Sequence, residues 1–185
     1  MKKIALISGS YSLTSRLNGL EEYAQSYFGP RTRLDVIHVH QLPAGALISA
    51  DYKDPEIIGA NNRVAESDGV IVTTPIFKAS FSGILKTYLD LLPQHALDGK
   101  VVLPLALGGS PAHVLAIKYA LEPVLSELGA QYIIQGAYTV DHQVKRAKNG
   151  RFEMESEAAR RLERALRQFE ENLQRQPESS PVISH

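Results

Sequence analysis

The chain has 185 residues, no cysteine, and 20 Lys and Arg against 20 Asp and Glu. The missing cysteine excludes disulfides, thiolate metal sites, iron–sulfur clusters and cysteine nucleophiles, and the zero net charge argues against a nucleic-acid or membrane-attracting surface. Its 44% hydrophobic and 22% charged residues are ordinary for a globular protein able to bury one core. The first apolar run, Ile4 to Ile7, is too short for a signal peptide, and no run approaches the roughly 20 apolar residues of a spanning helix. The expectation is a cytoplasmic protein, with residues 1–175 forming a single domain and 176–185 a polar, disordered tail.

Ile4 to Ile7 reads as a buried strand, stopped by Ser8-Gly9-Ser10. Leu17, Leu20, Tyr23, Ala24 and Tyr27 recur at helical spacing over about Ser15 to Phe28, and Gly29-Pro30 ends that helix. Leu34 to Val39 is the second strand, and Gln41 to about Lys53 is a loop. Asp54-Pro55-Glu56 starts a helix reaching about Glu66. Gly69 to Thr74 is the third strand, stopped by Pro75, and Ser82 to Leu92 is helical. Val101 to Leu107 is the fourth strand, and Gly108-Gly109-Ser110-Pro111 leads into a helix to about Leu128. Tyr132 to Gln135 is the last strand, followed by a charged amphipathic helix over Glu155 to Leu173.

Strands alternating with helices predict an α/β three-layer sandwich, a five-stranded parallel sheet with helices on both faces. In the flavodoxin-like order 2-1-3-4-5, strands one, three and four are neighbours. Ligands of such sheets sit beyond the carboxyl ends of the strands. The loops Ser8–Arg16, Thr74–Ser82 and Gly108–His113 therefore converge on one cleft.

The first loop carries five hydroxyls (Ser8, Ser10, Ser12, Thr14, Ser15) and the guanidinium of Arg16 at a helix start, a combination suited to a phosphate. One helix cap needs one hydroxyl, not five. No lysine follows Gly9 as in a P-loop. Gly9 stands alone, so a dinucleotide fingerprint is missing too. The second loop, Pro75-Ile76-Phe77-Lys78 onward, combines backbone groups with aromatic rings. It suits either the edge of a flat heterocycle or a turn with its aromatics in the core. Gly108, Gly109, Ser110 and His113 form the third. Glycine there lets backbone approach a ligand, although a plain strand-to-helix turn also explains it. If a flavin lies here, the backbone of Gly108 and Gly109 stabilises the charge it gains on reduction. Pro123 inside a helix removes an N–H and crowds the carbonyl of Tyr119, which predicts a kink or π-bulge there.

With these loops in view, the sequence resembles the NAD(P)H-dependent FMN reductases of the flavodoxin-like superfamily, and within them the alkanesulfonate (sulfur-starvation) branch. The resemblance spans about Lys3 to Ala137. It rests on Gly9-Ser10 with Ser15-Arg16, on Thr74 to Thr87, on Asp90-Leu91-Leu92-Pro93, on Gly99 to Ala106, on Gly108-Gly109 with His113, and on Tyr119 to Leu125. It implies hydride transfer from NADPH or NADH to flavin N5 with no side-chain acid or base and no metal. It also implies FMN held by Ser10, Ser15, Arg16, Pro75, Ile76, Phe77, Lys78, Gly108, Gly109, Ser110 and His113. Reduced FMN would pass to a partner monooxygenase that desulfonates organosulfonates. By the same resemblance, Tyr119 is an inserted π-helix residue at a homotetramer interface. Two departures stand out: Ser12 occupies a place where the family commonly carries arginine, and Phe77 one where many members carry tyrosine. The competing expectations are an FMN-retaining quinone, azo or iron-chelate reductase and a flavodoxin-type electron carrier.

Overall fold

The computed structural model describes residues 1–175; the predicted tail lies outside them. The chain runs through β1 (Lys3–Ser8), α1 (Asn18–Phe28), β2 (Arg33–His38), α2 (Ala44–Ser49), α3 (Pro55–Ala65), β3 (Gly69–Phe77), β4 (Ser80–Phe81) and α4 (Gly83–Leu89). It continues through β5 (Val101–Gly108), a π-helical segment (Ile117–Leu121), α5 (Glu122–Glu127), β6 (Tyr132–Ile133), β7 (Ala137–Val140), β8 (Val144–Arg146), β9 (Phe152–Met154) and α6 (Ser156–Arg175).

The main sheet has seven strands, where the sequence predicts five. Its order is β2-β1-β3-β5-β6, with β7 also parallel to β5 and β4 folded back on β3. The predicted last strand is thus split. Val102 pairs with Ile133 and Leu105 with Ala137, so three steps on β5 oppose four on its neighbour. The bulge falls beside Pro104, which has no N–H to donate to a ladder. Gly136 fits there because a Cβ would stand 2.6 Å from the Pro104 carbonyl oxygen.

A second correction concerns Pro75, predicted to stop its strand. β3 continues through it to Phe77, with Pro75 paired to Leu107. β1 ends opposite Thr73. Between that level and Ile76, where β4 begins to pair, β3 has no strand beside it on the β1 side, a gap where a sheet tolerates proline.

Alternate residues of the strands feed two cores, as a period of two requires. Ala5, Ile7, Val70, Val72 and Val102 pack with Ile57 and Val64 of α3 and Tyr88 and Leu89 of α4. Ile4, Leu6, Ile71, Leu103 and Leu105 face Leu17, Leu20, Ala24 and Phe28, and Leu162, Leu166 and Phe169 of α6. The hairpin β8–β9 lies against α1, where a Cβ on Gly19 would meet Val144 at 2.7 Å and Phe152 at 2.9 Å. Among the described residues no helix is long and apolar enough to cross a membrane.

Candidate functional site

The crossover from β2 over β1 to β3 creates a switch point at the carboxyl ends of β1 and β3. Three loops meet there. The rings of Tyr11 and Phe77 approach to 6.0 Å, joining the first loop to the second. A Cβ on Gly108 would stand 3.2 Å from that of Ile76, joining the third to the second.

The first loop, residues 9–17, is stitched to its surroundings at every side. The Gly9 N–H donates to the Thr73 carbonyl at 2.8 Å, and the Gly9 carbonyl accepts from the Ser82 hydroxyl at 2.7 Å. His40 Nδ1 lies 3.0 Å from the Ser10 carbonyl, and the Tyr11 hydroxyl accepts from the Ile84 N–H at 3.3 Å. The hydroxyls serve the loop itself. Ser10 is buried and donates to the Ser12 carbonyl, Ser12 and Thr14 bond each other, and Ser15 accepts from the Leu17 N–H. The first N–H groups of α1 are satisfied by short turns from Ser15, Arg16 and Leu17. Among the described residues, the N–H groups of Tyr11, Leu13 and Arg16 find no acceptor. The free donors therefore belong to the loop rather than to the helix end. Arg16, half-exposed, donates to Asp141 at 2.7 Å.

The second loop is a two-residue hairpin turn between Phe77 and Ser80. Lys78 (φ 51°) and Ala79 (φ 62°) both occupy the left-handed region, as this turn class demands, without the glycine that makes it easy. Each such residue costs about 1–2 kcal/mol. Pro75 and Ile76 are buried in β3, whereas Phe77 and Lys78 are exposed at the turn. Thr74 and Ser82 hold its base, the Ser82 N–H donating to Thr74 Oγ1 at 3.0 Å. Ser82 also caps α4 by accepting from the Leu85 N–H.

In the third loop, the Tyr138 hydroxyl of β7 donates to the Ser110 carbonyl at 2.6 Å. Gly108 is required by that tyrosine, because a Cβ there would collide with its hydroxyl. Gly109 faces open space, and its N–H and that of Ser110 find no acceptor among the described residues. His113 is half-buried on a short 3-10 turn, Pro111–His113, and makes no side-chain hydrogen bond there. Ahead of Pro123, the π-helical segment carries Tyr119 outward, 75% exposed.

The family model for NADPH-dependent FMN reductases matches residues 2–145. The chain belongs to the NADPH-dependent FMN reductase family. It is 43% identical over 176 residues to an FMN reductase (NADPH) of Pseudomonas putida, covering 94% of this chain and 89% of that one. To the FMN reductase (NADPH) of Escherichia coli K12 it is 43% identical over 144 residues, 77% of this chain and 75% of the other. Among solved structures, an apo NADH:FMN oxidoreductase (EMOB) superposes with a TM-score of 0.85 at 38% identity, covering all of this chain and 95% of that one. The protein is thus an oxidoreductase, and FMN and a reduced nicotinamide are the family's cofactors.

The three loops suit FMN on their own chemistry. Unpartnered N–H groups at Tyr11, Leu13 and Arg16 are donors for phosphate oxygens. The open space and free N–H groups at Gly109 and Ser110 leave room and donors for a heterocycle edge.

Several residues of this candidate site carry no local signature. Asp141, Tyr138, His40 and Tyr11 act on it through pairs 28 to 125 residues apart. Glu21 is another. It is 3% exposed, and its Oε1 accepts from the Ser8 hydroxyl at 2.6 Å and the Thr73 hydroxyl at 2.7 Å. Burial pushes its carboxyl above the usual range, the two hydroxyls lower it, and Glu22 adds a smaller upward push. A signal for it existed: an acid inside the apolar stripe Leu17, Leu20, Ala24, Phe28 of α1.

Proposed function

We propose that this FMN reductase uses NADPH to reduce FMN and then releases it to a partner flavin-dependent monooxygenase that desulfonates alkanesulfonates. The observation that carries the release step is the state of Arg16. The first loop has one cation, and Asp141 already holds it at 2.7 Å, so a bound phosphate must share it. A site that keeps its flavin gains from an unshared cation. A site that hands it over gains from a weaker grip.

FMN, when bound, supplies the hydride acceptor, so the chain needs no acid or base of its own. The residues' work is placement. Ser10 and Ser15 shape the first loop, whose N–H groups and Arg16 hold the phosphate. Pro75, Ile76, Phe77 and Lys78 present the strained turn to the ring edge. Gly109 and Ser110 offer backbone donors to charge gained on reduction, with Gly108 and His113 beside them. A homotetramer built on the exposed face of Val114, Leu115 and Tyr119, and a cytoplasmic location, belong to the same reading.

The test is purification followed by assay. We expect colourless protein after gel filtration, NADPH oxidation that requires added FMN, and sulfite release once an alkanesulfonate monooxygenase and its substrate are supplied. Protein that stays yellow and oxidises NADPH only with an added quinone would overturn the release reading in favour of a flavin-retaining reductase.

A further inference from the structure

We infer that Glu21, hydrogen-bonded to the strand ends at the base of the phosphate loop, is a positioning residue of that loop, and that its negative charge loosens FMN by opposing the phosphate. This rests on the Ser8–Arg16 loop being the phosphate seat. Glu21 lies on the helix that follows that loop, and its two hydrogen bonds go to the strand ends from which the site is built. Ser8 and Thr73 are both fully buried and are register partners across β1 and β3. The Ser8 hydroxyl that donates to Glu21 also accepts from the Ser10 N–H at 3.4 Å. The Thr73 residue that donates its hydroxyl to Glu21 accepts the Gly9 N–H on its carbonyl. One carboxyl oxygen thus ties together both roots of the loop.

A carboxylate is an expensive way to make that tie. A neutral amide accepts the same two hydrogen bonds without the cost of burying a charge. No cation repays that cost, because Arg16 is paired with Asp141 and no salt bridge reaches Glu21 among the described residues. The charged groups on the neighbouring elements leave it without a counter-ion. On α1 itself, Glu22 has the same sign. From β1 and β3 come the neutral hydroxyls of Ser8 and Thr73. From α6, Glu163 acts on Tyr23, and Glu170 and the opposing cation Arg167 act on Tyr27, all further along α1 and none on Glu21 itself. From β9, the Phe152 N–H meets Glu22. His40 touches the loop at the Ser10 carbonyl.

The direction of the effect follows from linkage. A phosphate on this loop and a carboxylate tied to its base repel, so FMN binds the protonated form of Glu21 more tightly than the ionised form. Conversely, bound FMN raises the proton affinity of Glu21 by the same factor. FMN affinity therefore falls as pH rises through the pKa of Glu21, already lifted by burial.

The variant that isolates charge from hydrogen bonding is Glu21→Gln. FMN and riboflavin dissociation constants would be measured by flavin fluorescence for both proteins from pH 5 to 9. The FMN phosphate titrates identically in both series, so it cancels in the ratio of wild type to variant. We expect that ratio to rise with pH, from near unity where Glu21 is protonated toward about tenfold where it is ionised. For riboflavin, which lacks the phosphate, it should stay level. A flat FMN ratio, or a riboflavin ratio that climbs equally, overturns the proposal. Should the variant not fold, the carboxyl carbon of Glu21 in the wild-type protein gives the reciprocal readout by NMR titration. Its midpoint must rise on saturation with FMN, and an unmoved midpoint overturns the proposal as well. Failure of either protein to bind FMN at any pH is a different result, since it removes the phosphate seat itself.

Discussion

The loops after β1 and β5 have similar compositions, small and glycine-containing, yet they are held in opposite ways. In the first, Gly9 is locked between Leu85, Ser82 and Thr73, and backbone or hydroxyl bonds run to β3, α4 and the turn carrying His40. In the third, a Cβ on Gly109 would meet nothing within 4 Å, and one tyrosine hydroxyl anchors the Ser110 carbonyl. A small residue in the first loop marks close packing of protein on protein. In the third, Gly108 is packed in the same way, but Gly109 has open space beside it. The same residue type therefore carries two meanings, and substitution separates them.

The largest effect expected is at Gly9. A Cβ there would stand 2.9 Å from Leu85 Cβ and Ser82 Oγ and 3.1 Å from the Thr73 carbonyl, the last of which is backbone and cannot step aside. Gly9→Ala should cost about 1–3 kcal/mol, the range for overpacking, and weaken FMN binding with it. Gly109→Ala should leave stability within about 0.5 kcal/mol and change only ligand binding. Thermal unfolding of the two variants, side by side, checks this. Equal losses would erase the distinction between the loops.

Next comes the anchor of the third loop. Tyr138→Phe removes the hydroxyl that donates to the Ser110 carbonyl at 2.6 Å and should cost about 0.5–1.5 kcal/mol. Amide exchange is expected to quicken at Gly109 and Ser110 while the first loop keeps its protection. Uniform loosening of both loops would show that they are one cooperative unit.

Much of this arrangement is legible in the sequence, for identifiable reasons. β1, β3 and β5 are apolar runs because both faces of the sheet are covered, and the loops after them stand out by composition. Other features come from distant partners. The split of the last strand is caused by Pro104, some 30 residues earlier in the chain. The helix α2 reads as a loop because Pro43 and Gly45 flank its start and no side chain caps it. The hairpin β8–β9 is too short to signal itself and is supported by the flat face that Gly19 offers on α1. In the site, the loop residues could be named in advance, whereas Asp141 and Tyr138 could not. A pair bridging 125 residues leaves no local pattern.

A smaller effect belongs to the second loop, whose turn is neither packed like the first nor open like the third. Ala79 holds φ 62° with a Cβ. Ala79→Gly removes a left-handed penalty of about 1–2 kcal/mol and returns roughly 0.5–1 kcal/mol of that in unfolded-chain entropy. A net gain of up to about 1.5 kcal/mol in denaturant unfolding is expected. Slower FMN reduction in the stabilised variant would show that the strained turn sets the position of Phe77 and Lys78. Unchanged turnover would make the strain incidental to function.

The smallest effect on stability, and the most direct on the first loop's character, is at Asp141. Its ion pair with Arg16 joins side chains 50% and 41% exposed, so breaking it should cost under about 1 kcal/mol. Asp141→Asn nevertheless frees the loop's cation for a phosphate. Between exposed groups, one released charge is worth about threefold to tenfold in FMN affinity at low ionic strength, and less at physiological salt, where the Debye length is about 8 Å. Titration of FMN at two salt concentrations checks both parts. If affinity falls in the variant, then Asp141 orients Arg16 toward the ligand rather than competing with it, and the proposed release of FMN must rest on Glu21 instead.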